Sequence, residues 1–89
     1  MDDDLTRTLQ ETLAATGERP VERTASRWLG EAEAIARDAA TTERDESVRR
    51  ERLRKVRDLL ENVDGTGDAA ADDHVATARE LLSALLDES

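Results

Sequence analysis

The chain has no cysteine, phenylalanine or tyrosine, and only one tryptophan, one histidine, one proline and one lysine. Each scarcity removes a class of answer. Without cysteine there is no disulfide, no thiolate metal site and no cysteine nucleophile. His74 has no second His or Cys with which to hold an ion, and a catalytic imidazole needs convergent partners. With Trp28 as the sole ring, no row of aromatics exists on which nucleic-acid bases could stack. No apolar run approaches the roughly 20 residues that span a bilayer. The opening Met1-Asp2-Asp3-Asp4 is the reverse of a positively charged leader. A cytoplasmic protein without membrane attachment is expected.

Large aliphatics are also sparse. Leu, Val and Ile together make 17 of 89 residues against a net charge of −9, near the border at which a chain cannot bury enough to fold. Helical periodicity places it on the folded side. Asp and Glu total 22, whereas the 13 basic residues are all Arg except Lys55. Acid excess, almost no Lys and abundant Ala and Thr resemble proteins of salt-accumulating archaea. Dense carboxylates keep a surface hydrated where molar salt screens charges beyond about 3 Å.

Four amphipathic helices are predicted, over 4–16, 21–40, 46–63 and 68–86, in one domain spanning 1–89. In the first, Leu5, Leu9 and Leu13 form a narrow stripe, Asp2, Asp3 and Asp4 suit its start, and Gly17 suits its C′ position. In the second, Val21, Ala25, Trp28, Ala32, Ile35 and Ala39 alternate spacings of four and three, with Trp28 the expected core anchor among small alanines that invite close helix approach. Gly30 falls on the opposite face. The third buries Val48, Leu53, Val56, Leu59, Leu60 and Val63, and ends before Gly65 and Gly67. The fourth, capped by Asp68, presents Ala71, Val75, Ala78, Leu81, Leu82, Leu85 and Leu86 over an arc of about 140°. Short loops between such helices point to an all-α, antiparallel up-and-down four-helix bundle. The wide arcs leave apolar surface for a dimer. Leu81, Leu82, Leu85 and Leu86 are its expected contacts, with Leu5 and Leu9 as the alternative.

Charge along the chain is uneven. Residues 43–64 hold seven basic and seven acidic groups and are neutral, while 1–16 carry −3, 17–42 carry −1 and 68–89 carry −5. The basic cluster 49–57 is the one place for a nucleic acid to dock. The i,i+4 spacings Glu46–Arg50, Glu51–Lys55, Arg54–Asp58 and Arg57–Glu61 predict local neutralisation instead. Arg49 and Arg52 fall inside the apolar arc of the third helix. They are expected to snorkel to the end of the bundle, and otherwise mark an anion or polar contact. His74 projects toward the apolar arc of the fourth helix and reads as structural. Gly65-Thr66-Gly67 is no phosphate loop, since neither a preceding strand nor a following Gly-Lys-Ser/Thr is present.

Two resemblances bear on function. Glu43-x-x-Glu46 with Glu61-x-x-Asp64 looks like the Mg²⁺-binding array of the all-helical MazG-like nucleotide pyrophosphohydrolases, which implies hydrolysis of nucleoside triphosphates. Those enzymes bring the acidic pairs together from facing helices. Here one helix would hold Glu43 and Glu61 about 27 Å apart, too far to share an ion. The stretches VERTASRWLGEAEA (21–34) and VRDLLENVDGTG (56–67) resemble a group of short, acidic, uncharacterised helical proteins of haloarchaea. That resemblance implies a salt-adapted setting and assigns no activity. The residues offer no catalytic set, cofactor site or metal site. The expected function is therefore a non-enzymatic protein–protein interaction or regulatory module, with a protein partner or a second copy of itself. A nucleic-acid-associated regulator using 49–57, and the nucleotide hydrolase, are the alternatives.

Overall fold

The computed structural model of the chain describes residues 2–41 and 45–86, with side chains described from Asp4 onward. Glu43 and Arg44, and the side chains of Asp2 and Asp3 expected to start the first helix, lie outside the described residues. Among those described, all regular structure is helical: α1 (Asp2–Thr16), α2 (Arg23–Thr41), α3 (Glu46–Leu60) and α4 (Ala69–Leu86). α1 packs on α2 and α4, and α3 packs on α2 and, more lightly, on α4. α1 and α3, like α2 and α4, lie diagonally, with no Cα atoms of the two helices within 8 Å. The long dimension is 36 Å against 19 and 18 Å across.

The helix ends explain where expectation and structure part. α1 closes through Gly17 N–H to Ala14 O (3.0 Å), Glu18 N–H to Ala15 O and Arg19 N–H to Thr16 O. These i→i+3 bonds tighten the last turn, and Gly17 does not take the positive φ expected of a C′ glycine. α2 starts at Arg23 rather than 21 because the Glu22 N–H donates to Thr66 O at 2.8 Å, which holds the preceding residues against the α3–α4 loop. α3 begins after Asp45, whose carboxylate accepts from Ser47 N–H (3.0 Å) and Val48 N–H (3.4 Å). It stops at Leu60, three residues short of Val63. The carbonyls of Leu60 and Val63 are instead taken by the Arg79 guanidinium at 2.9 and 3.1 Å.

Residues 65–72, where that loop meets α4, are held by side-chain hydrogen bonds. Asp68 caps α4 by accepting from Ala71 N–H at 2.9 Å, and its carboxylate also receives Arg19 Nε (2.9 Å) and Nη2 (3.1 Å). Thr66, fully buried, donates its hydroxyl to Asp72 Oδ1 (2.8 Å) and accepts from Asp68 N–H (3.2 Å), while its own N–H donates to the same Asp72 oxygen. Gly65 and Gly67 both have positive φ, and a Cβ on Gly67 would stand 3.0 Å from Glu22 Cγ. Glycine is needed at both for conformation, and at Gly67 an added Cβ would also oblige the exposed Glu22 side chain to shift.

The core is aliphatic. Leu9 and Leu13 of α1, Leu29 with Ala25, Ala32, Ala36 and Ala39 of α2, Leu53, Val56 and Leu60 of α3, and Val75, Ala78, Leu82, Leu85 and Leu86 of α4 form one buried cluster with Val63. Alanines facing inward let α2 approach both neighbours closely. α3 and α4 stand further apart and are bridged by arginine. Arg50, near the start of α3, donates to Leu86 O (3.0 Å) at the end of α4, and Arg79 of α4 serves the end of α3. Each cation sits where the partner helix's exposed carbonyls concentrate negative potential.

Candidate interaction face

Beyond the buried stripe, α2 and α3 each carry a second one. On α2, Trp28, Glu31, Ile35 and Asp38 recur at spacings of three and four, and on α3 Val48, Arg52, Lys55 and Leu59 do the same, a row that Asn62 continues in the turn just after the helix. Trp28, Ile35, Val48 and Leu59 are half-buried, and Trp28, Ile35 and Leu59 pack against the edge of the core. The five polar residues are exposed. Neither α1 nor α4 covers this flank. Gln10 of α1 reaches α2 on its other side, bonding Glu33 at 2.7 Å, and α4 meets α3 through Arg50 and Arg79. The Arg52 Nε–Asp38 Oδ2 ion pair, 3.1 Å, ties the two helices together along the seam. A shallow depression of about 390 Å³ lies on the outer side of α3, with Lys55, Asp58, Leu59 and Asn62 in its wall. Arg27 holds its guanidinium over the Trp28 ring, 6.0 Å from the centroid, at the outer limit of a cation–π contact.

Trp28 thus flanks the core rather than filling it. The residues expected to meet a partner are elsewhere. Leu82, Leu85 and Leu86 are covered by the chain itself, at 1%, 5% and 7% exposure, as is Leu9 at 0%. The broad arc of α4 is consumed by two neighbours, α1 and α3, so of the leucines expected to meet a partner only Leu81 of α4 and Leu5 of α1 are half-buried rather than buried. Of the two arginines singled out, Arg49 is buried near Glu46 Oε1 (3.6 Å), and Arg52 is exposed and paired with Asp38. His74 is half-buried on α4.

None of the four i,i+4 pairs expected on α3 forms. Glu46 meets Arg49 one position earlier, and Arg50 is drawn across to α4. Exposed i,i+4 pairs gain only tenths of a kcal/mol, so a charge-assisted bond to a helix-end carbonyl competes well with them. Three of the six described basic groups in 45–64, Arg49, Arg50 and Arg52, are thereby committed within the chain. Of the acidic quartet, Glu46 starts α3 and Glu61 follows its last residue, about 22 Å apart at helical rise. Among the described residues no group of three His, Asp or Glu side chains is placed to hold a metal ion.

A second concavity, about 380 Å³, runs between α1 and α2. Its polar wall is Glu33, which accepts from Gln10 and from Arg37 (2.6 and 2.8 Å), and its floor includes Leu13 and Leu29. The carboxylate's partners are both supplied by the chain. None of the described helices is long and apolar enough to cross a membrane.

No curated protein and no solved structure matches the chain. A family model described as a domain of unknown function, DUF8152, matches residues 5–89. The chain therefore belongs to the DUF8152 family.

Proposed function

We propose that this is a non-enzymatic protein–protein interaction module, an antiparallel up-and-down four-helix bundle of a salt-adapted cytoplasm, whose contact surface is the outer flank of α2 and α3. The observation that carries the reading is the position of Trp28. A chain with one aromatic side chain leaves it half-buried, beside half-buried Ile35, Val48 and Leu59, on a flank that neither of the other described helices covers. Tryptophan combines large apolar area with few rotatable bonds and is enriched among residues that dominate binding energy. The charged rim around it supplies orientation and register. This flank replaces the α4 leucines as the contact surface.

The test is binding by the intact chain and by Trp28→Ala, each first shown to be helical by circular dichroism. Proteins retained from a lysate held at high KCl are compared between the two. Loss of the specific partner on Trp28→Ala, by a factor of about 30 or more in affinity, is the expected result for a residue costing about 2 kcal/mol. Undiminished binding by the variant overturns the assignment of this flank.

A further inference from the structure

We propose that the partner on this flank is a second copy of the chain, seated about a two-fold axis running along the α2–α3 seam. The proposal rests on the reading of the flank as a contact surface and adds the occupant. Its argument is electrostatic. The exposed charges of the flank are unevenly divided: Glu31 and Asp38 outweigh Arg27 on α2, Arg52 and Lys55 outweigh Asp58 on α3, and the half-buried strip of Trp28, Ile35 and Leu59 lies between. An isologous contact presents one patch to itself, so only some operators satisfy a patch divided in this way. A two-fold axis across the helices would lay α2 on α2 and α3 on α3, acid on acid and base on base. An axis along the seam lays α2 of each copy on α3 of the other. Acid then meets base on both sides, and the apolar strip meets its own copy.

Net charge points to the same flank. Two chains at −9 repel, and they repel least where each is closest to neutral. The segments bearing α1 and α4 carry −3 and −5, whereas those bearing α2 and α3 carry −1 and 0. Since α1 and α4 lie on the other sides of α2 and α3, a face-to-face pair buries the neutral flank and turns both acidic ones to solvent.

The experiment uses two charge-reversed forms of the full chain, Glu31→Lys with Asp38→Lys and Arg52→Glu with Lys55→Glu. Light scattering is run at the lowest KCl giving a complete helical signal. The wild-type chain is expected at twice its 9.8 kDa. Each reversed form should be monomeric, its self-association weakened about 100-fold or more by like charges facing across the contact. An equimolar mixture should return to the dimer mass, because a predominantly basic flank then faces a predominantly acidic one. Reversal at Asp38 or Arg52 also breaks their intrachain pair, so Glu31→Lys mixed with Lys55→Glu repeats the test without touching it. A monomeric wild type at millimolar concentration, dimers indifferent to reversal, or a mixture that stays monomeric overturns the proposal. A monomer that still loses a different protein on Trp28→Ala overturns self-pairing alone. A monomer whose binding is unaffected by Trp28→Ala overturns the contact surface as well.

Discussion

Asp68 shows how much one side chain organises here. Its carboxylate caps the start of α4 and fastens that end to the α1–α2 connection through Arg19. The Arg19 guanidinium, and then the Ala71 N–H, hold the Asp68 carboxyl below its ordinary value of 3.8, and Asp68 in turn pushes the Arg19 guanidinium up. A carboxyl depressed on folding contributes stability that is present above its unfolded pKa and is lost as pH falls through the lower folded value. The Arg19 contribution would be lost only at strongly alkaline pH, beyond the useful range. Arg19→Ala should therefore lower the thermal midpoint modestly at neutral pH, and the gap from wild type should close as pH falls from about 4 toward 2. Parallel melting curves at pH 7, 4 and 2.5 test this. A gap unchanged at pH 2.5 would place the Arg19 contribution in packing rather than charge. The cap itself was legible from Asp68 standing before an apolar run. Its pairing with Arg19, 49 positions away, was not, because a contact that long leaves no local pattern.

The helices were legible where periodicity dominates and opaque where a distant donor intervenes. α2 announces itself through alternating spacings, and its alanines line the buried face. The end of α3 was misplaced by three residues because Val63 keeps the apolar pattern and is buried, while its carbonyl is bonded by Arg79. A long flexible cation gives no sequence signal of which helix end it will reach. Trp28 and the α4 leucines were exchanged for a related reason. Apolar character shows which residues leave water, but not whether a neighbour from the same chain or another molecule covers them. Gly30 supports a prediction at this scale. It lies mid-α2, exposed, with nothing within 4 Å of a built Cβ and a right-handed helical φ. Gly30→Ala should stabilise the protein by about 1 kcal/mol, chiefly by removing backbone freedom from the unfolded chain. A rise of about 4–8 °C in Tm is expected for a domain of this size. No rise would mean that this face of α2 is occupied by something that excludes even a methyl group.

The whole molecule is an electrostatic asymmetry wrapped around a light core. The segments bearing the neighbouring helices α1 and α4 together carry most of the −9, while α2 and α3 are joined along their seam by Arg52–Asp38 and are nearly neutral. Like-charge repulsion that is weak when spread over a surface becomes directional when two adjacent helices share it. At low ionic strength the Debye length grows from about 3 Å at molar salt to about 30 Å at 0.01 M, and the carboxylates of both helices then act together. The Leu, Val and Ala core has little reserve against this, since a chain of this size buries proportionally little surface. KCl should therefore raise the helical circular dichroism signal and the melting temperature, and the gain should be spatially uneven. Amide exchange in dilute buffer should be faster across α1 and α4 than across α2 and α3, with the difference shrinking as KCl approaches molar. The Arg19–Asp68 clamp predicts one local exception, slower exchange where α4 begins. A signal that is flat and fully helical from zero to molar KCl would mean that packing outweighs the repulsion. Uniform exchange across all four helices would mean instead that they open as one unit.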